Sequence, residues 1–129
     1  MSNLQSQSDG TGSRGSRQKR YVSVRKNREF QYLFKKGHNL VTYAFVCYYT
    51  PNKRRVNRLG IVASKKIGNA VKRNRARRVI REAFRLAQPL LIDKTDKRHD
   101  FVFVARGKTP ELDSKQIYGL LLKQLIPKL

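Results

Sequence analysis

KKIGNAVKRNRARRVIREAFR, residues 65–85, decides how this chain is built. It carries nine Lys and Arg against one acid, Glu82. A disordered basic tail would keep no order among its apolar residues. Here Ala76, Val79, Ile80, Ala83, Phe84 and Ala87 recur at i, i+3, i+4, i+7, i+8 and i+11, one continuous face of an α-helix. Arg73, Arg77, Arg81 and Arg85 stand four apart and form a row on the other side, with Arg75 and Arg78 beside it. Gly68 and Asn69 provide the entry, and Asn69 is the expected N-cap. The first turn fits least well, because Lys72 falls near the apolar side and Val71 away from it. The register is clean from Arg75 onward. Arginines four apart repel on an isolated helix by roughly 0.2–0.5 kcal/mol per pair. Packing of the apolar face must therefore hold this helix, and a bound polyanion would relieve the repulsion.

The totals agree with a polyanion partner. The chain has 129 residues, enough for one domain, and 39% of them are hydrophobic, including six Tyr and six Phe. Thirty Lys and Arg oppose eight Asp and Glu, a formal net charge of +22. Self-repulsion of that size favours association with nucleic acid, or with an anionic membrane surface as the second choice. No run of eighteen apolar residues is present and the N-terminus has no apolar signal segment, so no membrane role is expected. The single cysteine, Cys47, allows neither an internal disulfide nor a cysteine metal site, which fits a cytoplasmic location.

Residues 1–20 are Ser, Gly, Gln and Arg with almost no apolar side chains, so a flexible basic arm is expected there and one RNA-binding α/β domain over 21–129. A short helix is expected from Asn27, which would cap it. Phe30, Leu33 and Phe34 would share one face, and Gly37 would end it in a left-handed conformation. YAFVCYY, residues 43–49, is apolar on both alternating faces and predicts a strand covered on both sides or bearing an aromatic ligand face. Residues 51–57 form a basic hairpin loop. LGIVA at 59–63 and FVFVA at 101–105 are further strands, with Gly60 marking a close backbone approach. Thr109 and Pro110 open a C-terminal helix with an Ile117, Leu121, Leu125 stripe, which Pro127 stops.

Enzyme motifs are weak. Asp93, Asp96 and Asp100 interleave with Lys94, Lys97, Arg98 and His99, which suits turn formation and local ion pairing better than a metal site. His38 and His99 are far apart in sequence, and neither has an evident nucleophile; each is expected at the surface. Gly107, Lys108 and Thr109 imitate the end of a P-loop, but Val102 stands where that motif needs glycine. The aromatics point elsewhere. A cationic groove floored by rings is how single-stranded nucleic acid is held, bases stacking while phosphates meet Arg and Lys.

RLGIVASKKIGNAVKRNRARRVIREAFR, residues 58–85, resembles the signature of the bacterial ribonuclease P protein subunit. That signature is a strand ending in Ser-Lys-Lys, a Gly-containing turn, and a helix carrying Arg-Asn-Arg and then Arg-Glu-Ala-Phe. The triplet here is Arg73, Asn74 and Arg75. NREFQYLFKKG upstream and DFVFVARG downstream extend the resemblance over roughly residues 20 to 126. It implies an α+β fold, a two-layer α/β sandwich of order αβββαβα, similar to domain 2 of ribosomal protein S5. Its βαβ crossover through the basic helix would be left-handed, which is rare. The implied activity is endonucleolytic removal of the 5′ leader from precursor tRNA, with the catalytic centre and its Mg²⁺ in the RNA subunit. No protein residue would be catalytic, no protein metal site and no small-molecule ligand are implied, and the partners would be the ribonuclease P RNA and precursor tRNA.

Two surfaces are implied. Arg73, Asn74, Arg75, Arg77, Arg78 and Arg81 would lie against the RNA subunit. Phe30, Phe34 and Tyr48, with Lys65 and Lys66, would take the single-stranded leader in a cleft between the first helix and the sheet. The protein would bind the leader and support metal binding by countering charge repulsion in the RNA. The loop at 51–57 varies in length in that family, so its lysine and arginines have no assigned role. A ribosomal-type structural RNA-binding protein is the alternative, and a protein-only nuclease would need the acids that the sequence scatters.

Overall fold

A computed structural model of the chain describes residues 21–129; the arm expected over 1–20 lies outside the described residues. The elements in order are β1 (Tyr21–Ser23), α1 (Asn27–Lys36), β2 (His38–Val41), β3 (Phe45–Asn52), β4 (Asn57–Val62), α2 (Ala70–Lys94), β5 (Arg98–Ala105) and α3 (Ser114–Leu120). Short 3-10 turns occupy Lys65–Ile67, Thr109–Glu111 and Ile126–Lys128, and a π turn spans Leu121–Leu125. After β1, the succession is the expected αβββαβα.

α2 begins earlier than its clean register. Asn69 caps it as expected, its side-chain oxygen accepting a bond from the Lys72 backbone N–H at 3.0 Å, so the ill-fitting first turn is helical too. The helix also runs through Pro89, which has no N–H for the Arg85 carbonyl. Burial of Ala87, Gln88 and Leu91 on either side of Pro89 holds the helix together there.

The five strands lie in the order β1-β4-β5-β3-β2. β4 is parallel to β1 and to β5, while β3 is antiparallel to β5 and to β2. α2 therefore makes the crossover between parallel neighbours. It packs with α3 on one sheet face, forming the sandwich. Phe84 of α2 sits edge-on to Tyr21, Phe101 and Phe103, at centroid distances of 5.1, 5.3 and 5.9 Å. Phe45, Cys47, Ile117, Leu121 and Leu125 complete this core, and each large apolar side chain buried there contributes roughly 1.5–3 kcal/mol.

The short α1 crosses the opposite face. There Phe30 covers Gly60, where a Cβ would come within 2.7 Å of the ring; this is the close approach expected of that glycine. Arg58 links the layers below it. Its Nη1 meets Glu29 Oε2 of α1 at 2.9 Å, and its Nε and Nη2 grip both Asp100 oxygens of β5 at 2.9 and 2.8 Å. Hydrogen bonding from Arg58 holds the Glu29 carboxyl below its ordinary pKa. Burial alone would raise the Asp100 carboxyl, but bonds from Arg58 and Asn52 outweigh it and hold it low.

Several local expectations change. Asp100 pairs with Arg58, 42 residues away in sequence, and not with the cations beside it. His99 is buried against Phe101 and Tyr49, not at the surface. The α1 N-cap is Lys26 and not Asn27, because the Glu29 carboxylate reaches back to the Lys26 N–H at 3.4 Å. Gly37 is extended and not left-handed; glycine fits there because a Cβ would lie 2.7 Å from the Leu33 carbonyl oxygen. Tyr43 falls outside β3, since the Thr42 hydroxyl accepts from the Ala44 and Phe45 N–H groups and turns the chain. β3 and β4 extend to Asn52 and from Asn57, and the loop left at 53–56 is not a hairpin, because β5 lies between the two strands in the sheet. Pro110 does lie in the first helical turn, but that turn is a separate 3-10 segment. α3 proper is started by Asp113, whose carboxylate accepts from the Gln116 N–H at 2.9 Å. Pro127 stands inside the last 3-10 turn instead of stopping the helix.

Two pH windows follow from these contacts. Glu29 and Asp100 have depressed pKa values in the fold, so their stabilisation is complete above the ordinary carboxylate values near 4 and is lost as pH falls through the folded values. Arg58→Met should lower unfolding stability at pH 7 by about 3–5 kcal/mol, because it strands the buried Asp100 carboxylate; it should also flatten the dependence of the urea midpoint on pH below 5. Burial lowers the His99 pKa, so the unfolded chain takes up that proton first and stability falls as pH drops below about 6.5. His99→Phe should remove that part of the slope between pH 7.5 and 5, measured as Tm against pH.

Candidate nucleic-acid interface

Two surfaces emerge on opposite sides of the sheet. On the outward side of α2, Val71, Asn74, Arg75, Arg77, Arg78 and Arg81 border a shallow open concavity of about 670 Å³. Its walls are the side chains themselves. α2 puts them there because Ala76, Val79, Ile80, Ala83 and Phe84 occupy the inward face. Among the described residues, the ion pairs join Arg58 to Glu29 and Asp100, and Lys108 to Glu111; none uses a cation of α2.

The arginines of this face differ in their tethers. Arg75 Nε donates to the Pro110 carbonyl at 2.7 Å, tying α2 to the turn before α3. Arg77 Nη1 donates to Asn74 Oδ1 at 3.2 Å, so Asn74 positions an arginine within the row. Arg78 and Arg81 are exposed. Burial raises the pKa of the Tyr21 phenol in β1, while the charges of Arg81 and Arg85 act to lower it. Arg73 is the outlier among the six. It does not border the concavity, and its buried Nε has no hydrogen-bond partner among the described residues.

On the other face, the aromatic residues meet as a group. Phe34 of α1 packs edge-on against Tyr48 of β3, with centroids 5.0 Å apart. Phe30 covers Gly60, next to Val102. All three rings are half-buried, whereas Phe45 and Tyr49, on the alternating side of β3, are core. Lys65 and Lys66 are exposed in the 3-10 turn between β4 and α2. Sequence reasoning missed Val71 as a wall of the concavity. Its outward position in the first turn was the available signal.

No group of three or more His, Cys, Asp or Glu that could hold a metal ion occurs among the described residues. No helix among them is long and apolar enough to cross a membrane.

The fold and these surfaces define a small, strongly basic α+β protein with an arginine-lined helix on one side and an aromatic cleft on the other. The ribonuclease P family model matches residues 19–128. The ribonuclease P protein component of Clostridium botulinum (strain 657 / Type Ba4) is 38% identical over 103 residues, covering 79% of this chain and 89% of that protein. The Staphylococcus aureus RNase P protein structure superposes with a TM-score of 0.66 at 36% identity, covering 82% of this chain and 94% of that one. That of Thermotoga maritima gives 0.67 at 32% identity, covering 83% and 96%. The chain belongs to the ribonuclease P protein family.

Gly60 is the position on which the cleft depends. Gly60→Ala should displace the Phe30 ring and cost about 1–3 kcal/mol, read as a lowered urea midpoint, while leaving the α2 surface intact.

Proposed function

We propose that this chain is the non-catalytic protein subunit of ribonuclease P, and that it assists an RNA subunit in removing the 5′ leader of precursor tRNA. The observation that carries the reading is the concavity of α2, where Asn74 is surrounded by arginines that form no ion pair among the described residues. Arginine presents five donors in a planar fork and keeps its charge, so a row of them suits dense RNA phosphate. This face is proposed to bind the RNA subunit. The cleft of Phe30, Phe34 and Tyr48 is proposed to hold the leader by stacking, with Lys65 and Lys66 on its phosphates. Rings accept any base, so recognition there would be weakly sequence-dependent.

The described residues do not fit a Mg²⁺ site, and Asp100 is already held by Arg58. The Mg²⁺ is proposed to be held by the RNA subunit, and this chain's contribution is to neutralise phosphate where the RNA folds tightly. Cytoplasmic action on precursor tRNA belongs to the same proposal.

The direct test is 5′ trimming of precursor tRNA by the cognate RNA at low Mg²⁺, with and without the protein. Stimulation is expected, and its absence would overturn the reading. Cleavage by the protein alone would also overturn it. Arg77→Ala should reduce the log–log salt slope of RNA-subunit binding by roughly 0.7–0.9, the share of one phosphate. Tyr48→Ala should weaken binding of leader-bearing tRNA more than of mature tRNA; equal losses would mean that the ring is structural.

A further inference from the structure

The outward face of α1 is used by neither surface. Arg28, Tyr32 and Lys36 stand four apart along it. Gln31 and Lys35 form the adjoining strip, between Tyr32 and the cleft residues Phe30 and Phe34. All five are exposed, and Tyr32 is 57% open to solvent. The helix contributes one acid, Glu29, and Arg58 already holds it. None of the three cations is in an ion pair among the described residues. This arrangement does not serve the helix itself. A ring facing water contributes little to folding, and Arg28 stands in the first turn, where a cation opposes the helix dipole.

We infer that this face is a second platform for the 5′ leader of precursor tRNA, taking the nucleotides beyond those held in the cleft. Its chemistry asks for an unpaired polyanion. The Tyr32 ring accepts the face of an unpaired base, and Arg28 and Lys36, on either side of it along the helix, meet the flanking phosphates. Paired RNA presents no free base face to such a ring. The platform is continuous with the cleft, because the strip of Gln31 and Lys35 joins the Phe34 side of α1 to the Tyr32 side. An α-helix with its side chains is about 10–12 Å across, a distance that a few unpaired nucleotides can cross. Lys35 supplies charge along that crossing, and Gln31 supplies hydrogen bonds. The length of leader that the protein recognises is thus set by α1 as a whole, with one ring on each side of the helix.

The inference rests on the leader-binding role proposed for the cleft, and one length series separates the two. Holoenzyme assembled from the full chain and its cognate RNA is titrated with precursor tRNAs whose unstructured leaders grow one nucleotide at a time. Affinity is expected to rise in two steps. Tyr48→Ala should reduce the first. Tyr32→Ala should remove the second, a loss of about five- to tenfold confined to long leaders. Tyr32→Phe keeps the ring and should bind as the wild type does. Arg28→Ala/Lys36→Ala should take roughly 1.4 from the log–log salt slope on long leaders, 0.7 for each phosphate of a single strand, and nothing on short ones. These side chains are exposed, so Tm should stay unchanged. Wild-type affinity of Tyr32→Ala for long leaders overturns the second platform, and so does an equal loss at every length. If Tyr48→Ala weakens leader binding and Tyr32→Ala does not, the cleft stands and this face falls. If leader length has no effect in the wild type, both fall.

Discussion

The Arg58 guanidinium, held between Glu29 and Asp100, is the contact on which the rest of the structure depends. With a net charge of +22, this chain has few acids to spend on internal order. Two of them converge on one arginine, joining α1, β4 and β5 at a single point. A largely buried pair of this kind stabilises little over an apolar substitute, yet leaving it half-made is costly. That asymmetry makes it a device for specifying position. It sets where α1 crosses the sheet, and hence where Phe30 meets Gly60 and Phe34 meets Tyr48. Through Asn52 it also fixes the start of the loop that carries the chain from β3 past β5 to β4.

The same economy explains why the basic surfaces are left bare. Acids committed to Arg58 cannot screen the arginines of α2. The arginine row would weaken an isolated helix, but Phe84 and its apolar neighbours bind α2 to the sheet strongly enough to tolerate it. Repulsion is thereby stored on the outward face, where a polyanion would release it. The strands carry out the separation of the two chemistries. Residue alternation in β3 sends Phe45, Cys47 and Tyr49 to the α2 side and Tyr48 to the α1 side. One strand therefore supplies both the core and the cleft.

What was legible in the sequence follows the range of the forces involved. The α2 face was plain because its period repeats over several turns, and the Asn69 cap because capping is local. Gly60 was legible as a close approach, although the ring that fills the space was not. β1 and β2 were missed, for three or four residues carry too little alternation to be distinguished from loop. Asp100 was misplaced for a related reason. Its sequence neighbours are cations, and only the parallel register of β4 and β5 brings Arg58 opposite it. His99, surrounded by the same charges, looked exposed until that register turned it toward Tyr49 and Phe101.

The candidate site shows the same limit at finer scale. Spacing alone makes the arginines of α2 equivalent, and tertiary contacts make them unequal. Arg75 is partly engaged in holding the turn at Pro110, so its loss would disturb the α2–α3 arrangement as well as any phosphate contact. Arg73 is too enclosed to be a simple surface charge. Arg77 is aimed by Asn74, which gives the Arg-Asn-Arg triplet a physical sense: the middle residue acts on an arginine one turn later, not on its immediate neighbours. Arg78 and Arg81 are exposed, and their long side chains keep the freedom to adapt to an RNA surface. A helix built in this way combines arginines fixed by the fold with arginines free to be fixed by a partner. Such a division lets one face be ordered enough to be specific while remaining incomplete without its polyanion.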